Sequence, residues 1–306
     1  MADITASMVK ELREMTGAGM MDCKKALNET NGNMDEAVEF LRKSGAAKAE
    51  KKAARIAAEG ICRVALDGNK TAAVVEVNSE TDFVAKNETF QTYVEAVAKQ
   101  ALATKASDVE GMMDEAWVDD ASKTVKEALI EKTATIGEKL SIRRFAKLSG
   151  DCVVSYIHGG GRIGVLVVGN GAGDSEAVKE ALTNVAMQVA ALNPKFISQK
   201  DVDADFIAKE KEIIMAQIEN DPKEASKPDK VKEGMVMGRI NKEMKEFCLM
   251  DQVYVKAEDG KQSVAQYLAT VSKDLTVADF VRYEVGEGME KKVDDFAAEV
   301  AAQAGL

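Results

Sequence analysis

Residues 76–86 read Glu76-Val-Asn-Ser-Glu-Thr-Asp82-Phe83-Val84-Ala-Lys86 and continue an apolar run over residues 71–77. The run is typical of a strand, and a helix is predicted from near residue 87, so the stretch connects two elements. Asp82 and Phe83 are neighbours that point in different directions, so at least one of them projects. Because connections on rigid scaffolds often carry function, the pair is a candidate site. The alternative is that Asp82 caps a helix and Phe83 folds back into the core.

The composition is that of a folded, acidic protein. Of its 306 residues, 46% are hydrophobic and 30% are charged, and the net charge is -11. Such a chain is long enough for two or more domains. Because the phosphate backbone attracts dense positive charge, the acidic balance argues against direct nucleic-acid binding. The basic cluster at Lys48, Lys51, Lys52 and Arg55 has no interleaved aromatic residue, which favours a solvated helix end over a nucleic-acid patch.

The residue types that catalysis and metal binding require are scarce. His158 is the single histidine, so a Ser-His-Asp triad has one possible base and a zinc site with two histidines is excluded. The glycines after His158 lack the Gly-Lys-Ser/Thr of a phosphate-binding loop and predict a tight turn. We therefore expect a protein without catalytic residues, cofactor or metal, and an enzyme of unknown type is the disfavoured alternative.

The cysteines and the apolar runs indicate the compartment. Cys23, Cys62, Cys152 and Cys248 are far apart and form no Cys-x-x-Cys pair, which predicts reduced, buried thiols. No apolar run is long enough to span a bilayer, and the chain opens into helix-forming sequence without a signal peptide. We expect a cytoplasmic protein that binds no membrane.

The first 55 residues predict a small helical domain. Three short helices fit residues 3–45, and Asn33 has Glu36 at the capping-box position of the third. A charged, alanine-rich and partly helical linker is predicted over residues 46–58. A three-helix bundle of this size is similar to ubiquitin-associated (UBA) domains, whose broad faces tend to bind partners.

The rest of the chain predicts a core of two related subdomains. Strands at 61–66 and 71–77, then a helix at 87–104, fit a first subdomain over 56–139, in which 105–138 looks helical and acidic. Strands at 140–148, 153–157 and 163–168 precede a helix at 174–192. A strand at 253–255, a helix at 263–269 and a strand at 276–285 complete a second subdomain, 140–194 with 249–290. The recurring order suggests an internal duplication.

Two further helical elements are predicted. Residues 195–248 form a helical hairpin, since apolar residues recur at helical spacing on both sides of a proline-bearing turn. All three prolines, Pro194, Pro222 and Pro228, bracket this segment. The hairpin either packs on its own domain or protrudes as an arm. A C-terminal helix is predicted within 291–306. Together these elements predict an α+β fold of antiparallel sheets and helices.

Two segments of the chain resemble signatures of the bacterial elongation factor Ts family. One reads Leu12-Arg13-Glu-Met-Thr-Gly-Ala-Gly-Met20-Met21-Asp-Cys-Lys24-Lys-Ala-Leu27, and the other is Thr81-Asp82-Phe83-Val84. They occur in the family's order and at its separation. The resemblance continues to Phe280-Val-Arg-Tyr-Glu-Val-Gly-Glu-Gly288 and weakens around 105–135 and 195–250.

The resemblance implies a guanine-nucleotide exchange factor for the translational GTPase elongation factor Tu, in its GDP-bound and nucleotide-free forms. The residues implied in displacing the partner's Mg²⁺ are Thr81, Asp82, Phe83 and Val84. The residues implied in partner contact are Arg13, Met20, Met21, Lys24 and His158. For either methionine the alternative is a core position, and for His158 it is a polar surface residue. The glycine turn at His158 has one residue more than the family pattern.

The resemblance also implies that the 195–248 hairpin is a coiled-coil arm, used for homodimerisation in at least some members. A second hypothesis for the whole chain is a docking or stabilising module for the same GTPase that does not accelerate exchange. The intact Thr81-Asp82-Phe83-Val84 stretch favours the exchange factor.

Overall fold

The computed structural model describes residues 4–290, and the predicted C-terminal helix lies outside the described residues. Three N-terminal helices come first: α1 (Ala6–Thr16), α2 (Met20–Glu29) and α3 (Met34–Lys52). They enclose a core of Val9, Leu12, Cys23, Ala26, Leu27 and Ala37. The Asn33 side chain caps α3 by accepting from the Glu36 amide at 3.2 Å, as predicted.

The third helix is longer than predicted. Helix α3 continues to Lys52, so the segment 46–58 is helical in its first part, as its prediction as a partly helical linker allows. Alanine, lysine and glutamate propagate a helix well, and Gly45 packs against Ala134 of the core, so the helix has support where a linker was expected.

The remaining elements follow in chain order. The first group is β1 (Glu59–Asp67), β2 (Thr71–Ser79), α4 (Asp82–Ala85), α5 (Glu88–Ala103), α6 (Val109–Met113), β3 (Ala116–Trp117), β4 (Asp120–Thr124), α7 (Val125–Ile136) and β5 (Ser141–Ser149). The second group is β6 (Cys152–His158), β7 (Ile163–Asn170), α8 (Glu176–Leu192), α9 (Ala204–Asn220), α10 (Pro222–Ala225), α11 (Asp229–Phe247), α12 (Val264–Val271) and β8 (Thr276–Glu284). The mixture of helices and antiparallel sheets agrees with the predicted α+β class.

Two three-stranded antiparallel sheets form the core. Their strand orders are β1-β2-β5 and β6-β7-β8. The predicted subdomain boundary at residue 140 places β5 in the second subdomain, whereas its hydrogen bonds place it in the first sheet, beside β2. The chain passes from the first sheet to the second between Ser149 and Cys152.

The acidic segment 105–138 is not wholly helical, which corrects the prediction. The two short strands β3 and β4 interrupt it and bury Trp117 against Tyr93 of α5. Asp120 accepts from the Ser122 amide and hydroxyl, and this local pairing favours a turn over a helix. Helix α7 then restarts from a capping box between Thr124 and Glu127.

The predicted strand at 253–255 is also wrong. Only a single bridge joins Val253 to Ser263. The buried Gln188 side chain of α8 takes over the backbone pairing: its amide donates to the Val253 carbonyl at 3.0 Å, and its oxygen accepts from the Val255 amide at 2.8 Å. A side chain thus replaces the neighbouring strand that the sequence pattern led us to expect.

The two sheets pack face to face. Their shared core contains Ala72, Val74, Val153, Leu166 and Val168. The approach is closest at Gly164 of β7, where an added Cβ would lie 2.8 Å from Cys62 Cβ of β1. Any larger residue at this position would force the sheets apart.

A buried carboxylate joins the first sheet to the end of the second. Glu76 of β2 is fully buried. It accepts from Arg143 at 2.9 Å, from Arg144 at 2.5 Å and from the Gly286 amide at 2.8 Å. The register shifts between Glu76 and Val77, so that Arg143 is skipped in the pairing with β5. This bulge lets two consecutive arginines reach one carboxylate, although neighbouring strand side chains normally point to opposite faces.

The predicted helical hairpin is present. Helices α9 and α11 pack through Ile214, Ile218, Val236, Ile240 and Met244. Glu224 of α10, next to the turn, binds Arg239 of α11 at 2.7 Å. Within α9, Ile214 is buried against the partner helix, whereas its neighbour Ile213 is 42% exposed.

All four cysteines are buried and free, as predicted. Each lies in a different part of the structure: Cys23 in the N-terminal helices, Cys62 in the first sheet, Cys152 in the second, and Cys248 at the end of α11. Burial raises the pKa of every one of these thiols, to about 12 for Cys62 and to about 11 for Cys248. Among the described residues no helix has the length and apolarity needed to cross a bilayer.

Replacing Glu76 with Gln should destabilise the protein by about 3–5 kcal/mol, because it leaves two arginines facing a neutral amide. Urea unfolding at pH 7 measures this loss. The matched control is Glu95→Gln, which removes an exposed carboxylate 3.9 Å from Arg63 and should cost under about 1 kcal/mol. Equal losses in the two variants would contradict the role of the buried carboxylate.

Glu76→Gln should also weaken the dependence of the unfolding free energy on pH in the acidic range. Burial by itself raises the pKa of Glu76, but the Gly286 amide and the two arginines outweigh it and leave the pKa lowered. A lowered folded pKa means that this stabilisation is complete above the unfolded value of about 4.3 and is lost as pH falls through the folded value. The unfolding free energies of the native protein and Glu76→Gln should therefore begin to converge as pH falls below about 4.3, and should meet only below the lowered folded pKa.

Replacing Ile218 with Ala should destabilise the hairpin by about 2–4 kcal/mol, since Ile218 is fully buried between α9 and α11. Gln217→Ala, at the exposed position next to it in the same helix, is the control and should change stability by less than about 1 kcal/mol. Amide hydrogen exchange in α9 measures both, and similar exchange in the two variants would rule out the observed packing.

Candidate functional site

The connection after β2 presents an aromatic side chain to solvent. Phe83 is 80% exposed, more than any other large apolar side chain among the described residues. It lies in the four-residue helix α4, between the half-buried Val84, which packs against the first subdomain's core, and the exposed Asp82. The alternative in which Phe83 folds into the core is therefore wrong, and the capping residue is Thr81 rather than Asp82.

Two carboxylates hold the backbone that leads into α4. Glu138 Oε2 accepts from the amides of Glu80 and Thr81 at 3.1 and 3.0 Å, and its Oε1 accepts from the Thr81 hydroxyl at 2.7 Å. In return, Glu80 accepts from the Lys139 amide at 2.6 Å. The two loops are thus joined by reciprocal bonds between side chain and backbone, which fix the direction in which α4 leaves β2.

Asp82 is charged and accessible. Its carboxylate binds Lys86 Nζ at 2.7 Å, and both side chains are more than half exposed. The hydrogen bond from Lys86 lowers the pKa of Asp82, and the backbone amides of α4 act in the same direction. An exposed pair of this kind exchanges partners easily, so the carboxylate is available to a cation or donor on another molecule.

The N-terminal signature forms an exposed methionine surface. Met20 and Met21 are 59% and 74% exposed, so neither occupies the core position that was the alternative for each. Arg13 and Lys24 are exposed as well. Met15 is 60% exposed and was missed as a candidate, because a lone methionine at the end of an amphipathic helix gives no signal beyond its helical phase.

The structure places the two signatures at the same helix end. Gly17, in the loop between α1 and α2, lies against the side chain of Thr135 in the last turn of α7, where an added Cβ would be 3.8 Å away. Glu138 follows three residues later and binds Thr81. Gly137 makes this possible: it ends α7 with φ at +88° and turns the chain back toward α4.

A cleft of about 620 Å³ lies between the N-terminal helices and the core. The bundle side of its wall includes Met15, Gly17 and Asp22, and the core side includes Trp117 and Lys132. Met20 and Met21 do not line it, so these two side chains face away from the protein's own core.

His158 belongs to a third segment, at the turn between β6 and β7. It is exposed at the end of β6, and its Nδ1 is 3.0 Å from the Tyr156 hydroxyl. The glycine turn that follows is held to β1, where Arg63 donates to the Gly160 carbonyl at 3.2 Å. Within residues 4–290 no hydrogen bond or salt bridge joins His158 to the α4 turn, and no group of three His, Cys, Asp or Glu side chains is arranged to hold a metal ion.

Glu138 is the residue of this site that the sequence did not reveal. It lies at the end of the segment 105–138, for which the sequence offered no function, and its bonds to Glu80 and Thr81 span almost 60 positions. A single carboxylate in an acidic chain carries no signal until the fold brings it to its partners.

Comparison with known proteins identifies the family of the chain. The family described as Elongation factor TS matches residues 80–287. Curated proteins named Elongation factor Ts from Clostridioides difficile (strain 630) and Clostridium novyi (strain NT) are 50% and 48% identical to the chain. The first alignment covers 99% of both chains, and the second covers 98% of both. The protein belongs to the elongation factor Ts family, whose members act in translation elongation during protein biosynthesis.

Proposed function

We propose that this protein is a guanine-nucleotide exchange factor for elongation factor Tu. It binds the GDP complex of that GTPase, dislodges Mg²⁺ and promotes GDP release so that GTP can bind. The observation that carries the proposal is the projecting Phe83 beside a charged Asp82 on a braced turn. The protein itself is non-enzymatic in this proposal and acts in the cytoplasm.

Burial of Phe83 in the partner supplies free energy that can favour one state of the GTPase over another. Burying an exposed Phe side chain in an apolar crevice contributes roughly 2–3 kcal/mol. If the crevice is open only in the nucleotide-free GTPase, this energy is gained in that state alone. A ligand shifts an equilibrium by its differential affinity for the two states, so Phe83 would favour the state that has released GDP. Nucleotide and exchange factor then weaken each other's binding by the same factor.

Asp82 supplies the charge that disturbs the metal site. Mg²⁺ keeps several waters and requires near-octahedral geometry, so a carboxylate brought close to its shell competes with its water and oxygen ligands. Because the pKa of Asp82 is lowered, the carboxylate stays ionised throughout the physiological range. Separating Asp82 from Lys86 costs little free energy, because the ion pair is exposed to solvent. In this proposal Thr81 and Val84 set the geometry of the turn.

The N-terminal surface supplies docking. Arg13, Met20, Met21 and Lys24 are exposed on α1 and α2, the bundle that we propose to be UBA-like. Methionine side chains are flexible and polarisable, so they adapt to an apolar partner surface. His158, whose Nδ1 lies 3.0 Å from the Tyr156 hydroxyl, is proposed as a second contact, at the turn between β6 and β7.

We extend the proposal to the helical hairpin. Its outer surface exposes Ile213, Val231 and Met237 by 42%, 46% and 46%. We propose that the hairpin is a coiled-coil arm and that these residues join it to a second copy of the chain. Neither nucleic acid nor membrane is part of the proposal.

Phe83→Ala should reduce the stimulated release of a fluorescent GDP analogue from elongation factor Tu by roughly ten- to a hundredfold, while weakening the complex less. Asp82→Ala should reduce it as well. Leu66→Ala, which truncates another exposed apolar residue, is the matched control and should behave like the native chain. A complex without accelerated release would leave a docking module in place of an exchange factor.

Ile213→Glu combined with Met237→Glu should convert a dimer of the native chain into a monomer, because it places charges on the proposed contact. Sedimentation equilibrium measures the mass. A native chain that sediments as a monomer at all concentrations tested would contradict the homodimer.

A further inference from the structure

We propose that Glu138 is a positioning residue for nucleotide exchange, which holds the α4 turn so that Phe83 projects in a single direction. This inference rests on the proposed function. Glu138 touches neither Asp82 nor Phe83, and it acts through the backbone of the two residues before them.

The geometry of Glu138 suits this role. One oxygen accepts from two consecutive amides, those of Glu80 and Thr81, and the other accepts from the Thr81 hydroxyl. Charge-assisted hydrogen bonds of this kind are stronger than neutral ones. Because two amides in sequence are held by one oxygen, the peptide plane between them has little freedom to rotate, and this plane sets the start of α4.

The turn has few other restraints. Helix α4 is only four residues long, and the Thr81 cap to the Val84 amide is long at 3.4 Å. A helix of this length does not stabilise itself in water. The packing of Ala85 and Val84 on the core anchors its far side. On the side that carries Asp82 and Phe83, the Ser79 hydroxyl donates to the Thr81 carbonyl at 3.0 Å, and Lys86 binds Asp82. Among these contacts only those of Glu138 reach the turn from a distant part of the chain.

A second carboxylate couples the brace to the N-terminal helices. Glu80 accepts from Arg55 at 3.2 Å as well as from the Lys139 amide, and Lys139 Nζ donates to the Arg55 carbonyl at 2.7 Å. Arg55 lies three residues after α3 ends. These bonds link the α4 turn to the segment that follows the N-terminal helices. The orientation of Phe83 is therefore fixed relative to those helices before a partner binds.

Two substitutions of Glu138 distinguish a role in hydrogen bonding from a role in charge. Glu138→Ala removes all three acceptor contacts. Glu138→Gln preserves them, because its amide oxygen can accept from the Glu80 and Thr81 amides while its NH₂ group donates to the Thr81 hydroxyl oxygen. If Glu138 acts by hydrogen-bond geometry, Gln should replace it and Ala should not.

The first measurement is GDP release from elongation factor Tu over a range of factor concentrations. Glu138→Ala should lower the maximal rate at saturating factor by about tenfold or more, since small misplacements of a working group have effects of this size. The concentration for half-maximal release should stay within about threefold of native, because the N-terminal docking surface is untouched. Glu138→Gln should stay within about threefold of native in both quantities.

The control is Asp119→Ala, which removes an exposed carboxylate that makes no hydrogen bond or salt bridge within residues 4–290. It should match the native chain. A native maximal rate in Glu138→Ala would overturn the proposal, and so would an equal loss in Glu138→Ala and Glu138→Gln, since the effect would then come from charge alone.

The second measurement needs no GTPase. The amides of Glu80 and Thr81 should be protected from hydrogen exchange in the native chain and in Glu138→Gln, and should exchange rapidly in Glu138→Ala. Fast exchange of both amides in the native chain would overturn the brace, even if Glu138→Ala fails to fold. Conversely, a native chain with protected amides that accelerates no release would contradict the proposed exchange activity and leave the brace intact.

Discussion

The Glu76 carboxylate is the contact on which the arrangement of the two sheets depends. It lies on the middle strand of the first sheet, and it receives hydrogen bonds from β5 and from the turn that follows β8. Arg144 continues the connection, since it also donates to the Glu284 carbonyl and stacks on Tyr283 at 4.2 Å. A buried charge is tolerated only when its partners surround it, so both sheets must reach their final places before this carboxylate is satisfied. The coupling makes the two halves of the core one unit.

On this core, helix α7 organises the surfaces proposed to meet the GTPase. Its last turn supports the loop between α1 and α2, and the residues just after it hold the α4 turn. Arg42 of α3 binds Glu131 of α7 at 3.5 Å and adds an ionic contact to the same interface. The methionine surface and Phe83 therefore have one common support. The relative placement of the two signatures is therefore fixed by contacts at the end of one helix.

Local patterns in the sequence predicted most of the elements. The apolar runs of β1, β2, β6, β7 and β8, and the periodicity of α5, α8 and the hairpin, are strong because each element buries one continuous face. Predictions failed where a side chain replaced the backbone as a hydrogen-bonding partner. Gln188 takes the place of a strand beside Val253, and Asp120 turns the chain inside a segment with helical composition. The pairing of β5 with β2 could not be predicted either, because the sequence pattern of a strand shows which face is buried but not which strand lies beside it. For the site, the exposure of Phe83, Met20 and Met21 followed from their motifs, whereas the bond between Glu138 and Thr81 depends on tertiary structure alone.

The burial of the cysteines has a consequence for how the chain reports its own motions. The thiolate is the reactive form, and burial keeps all four thiols protonated and covered while their surroundings are folded. Because the four residues lie in four different parts of the molecule, each becomes reactive only when its own part opens. The four thiols are therefore native probes of local opening. Their alkylation rates would report on the N-terminal helices, the coupled sheets and the base of the hairpin, without an added label.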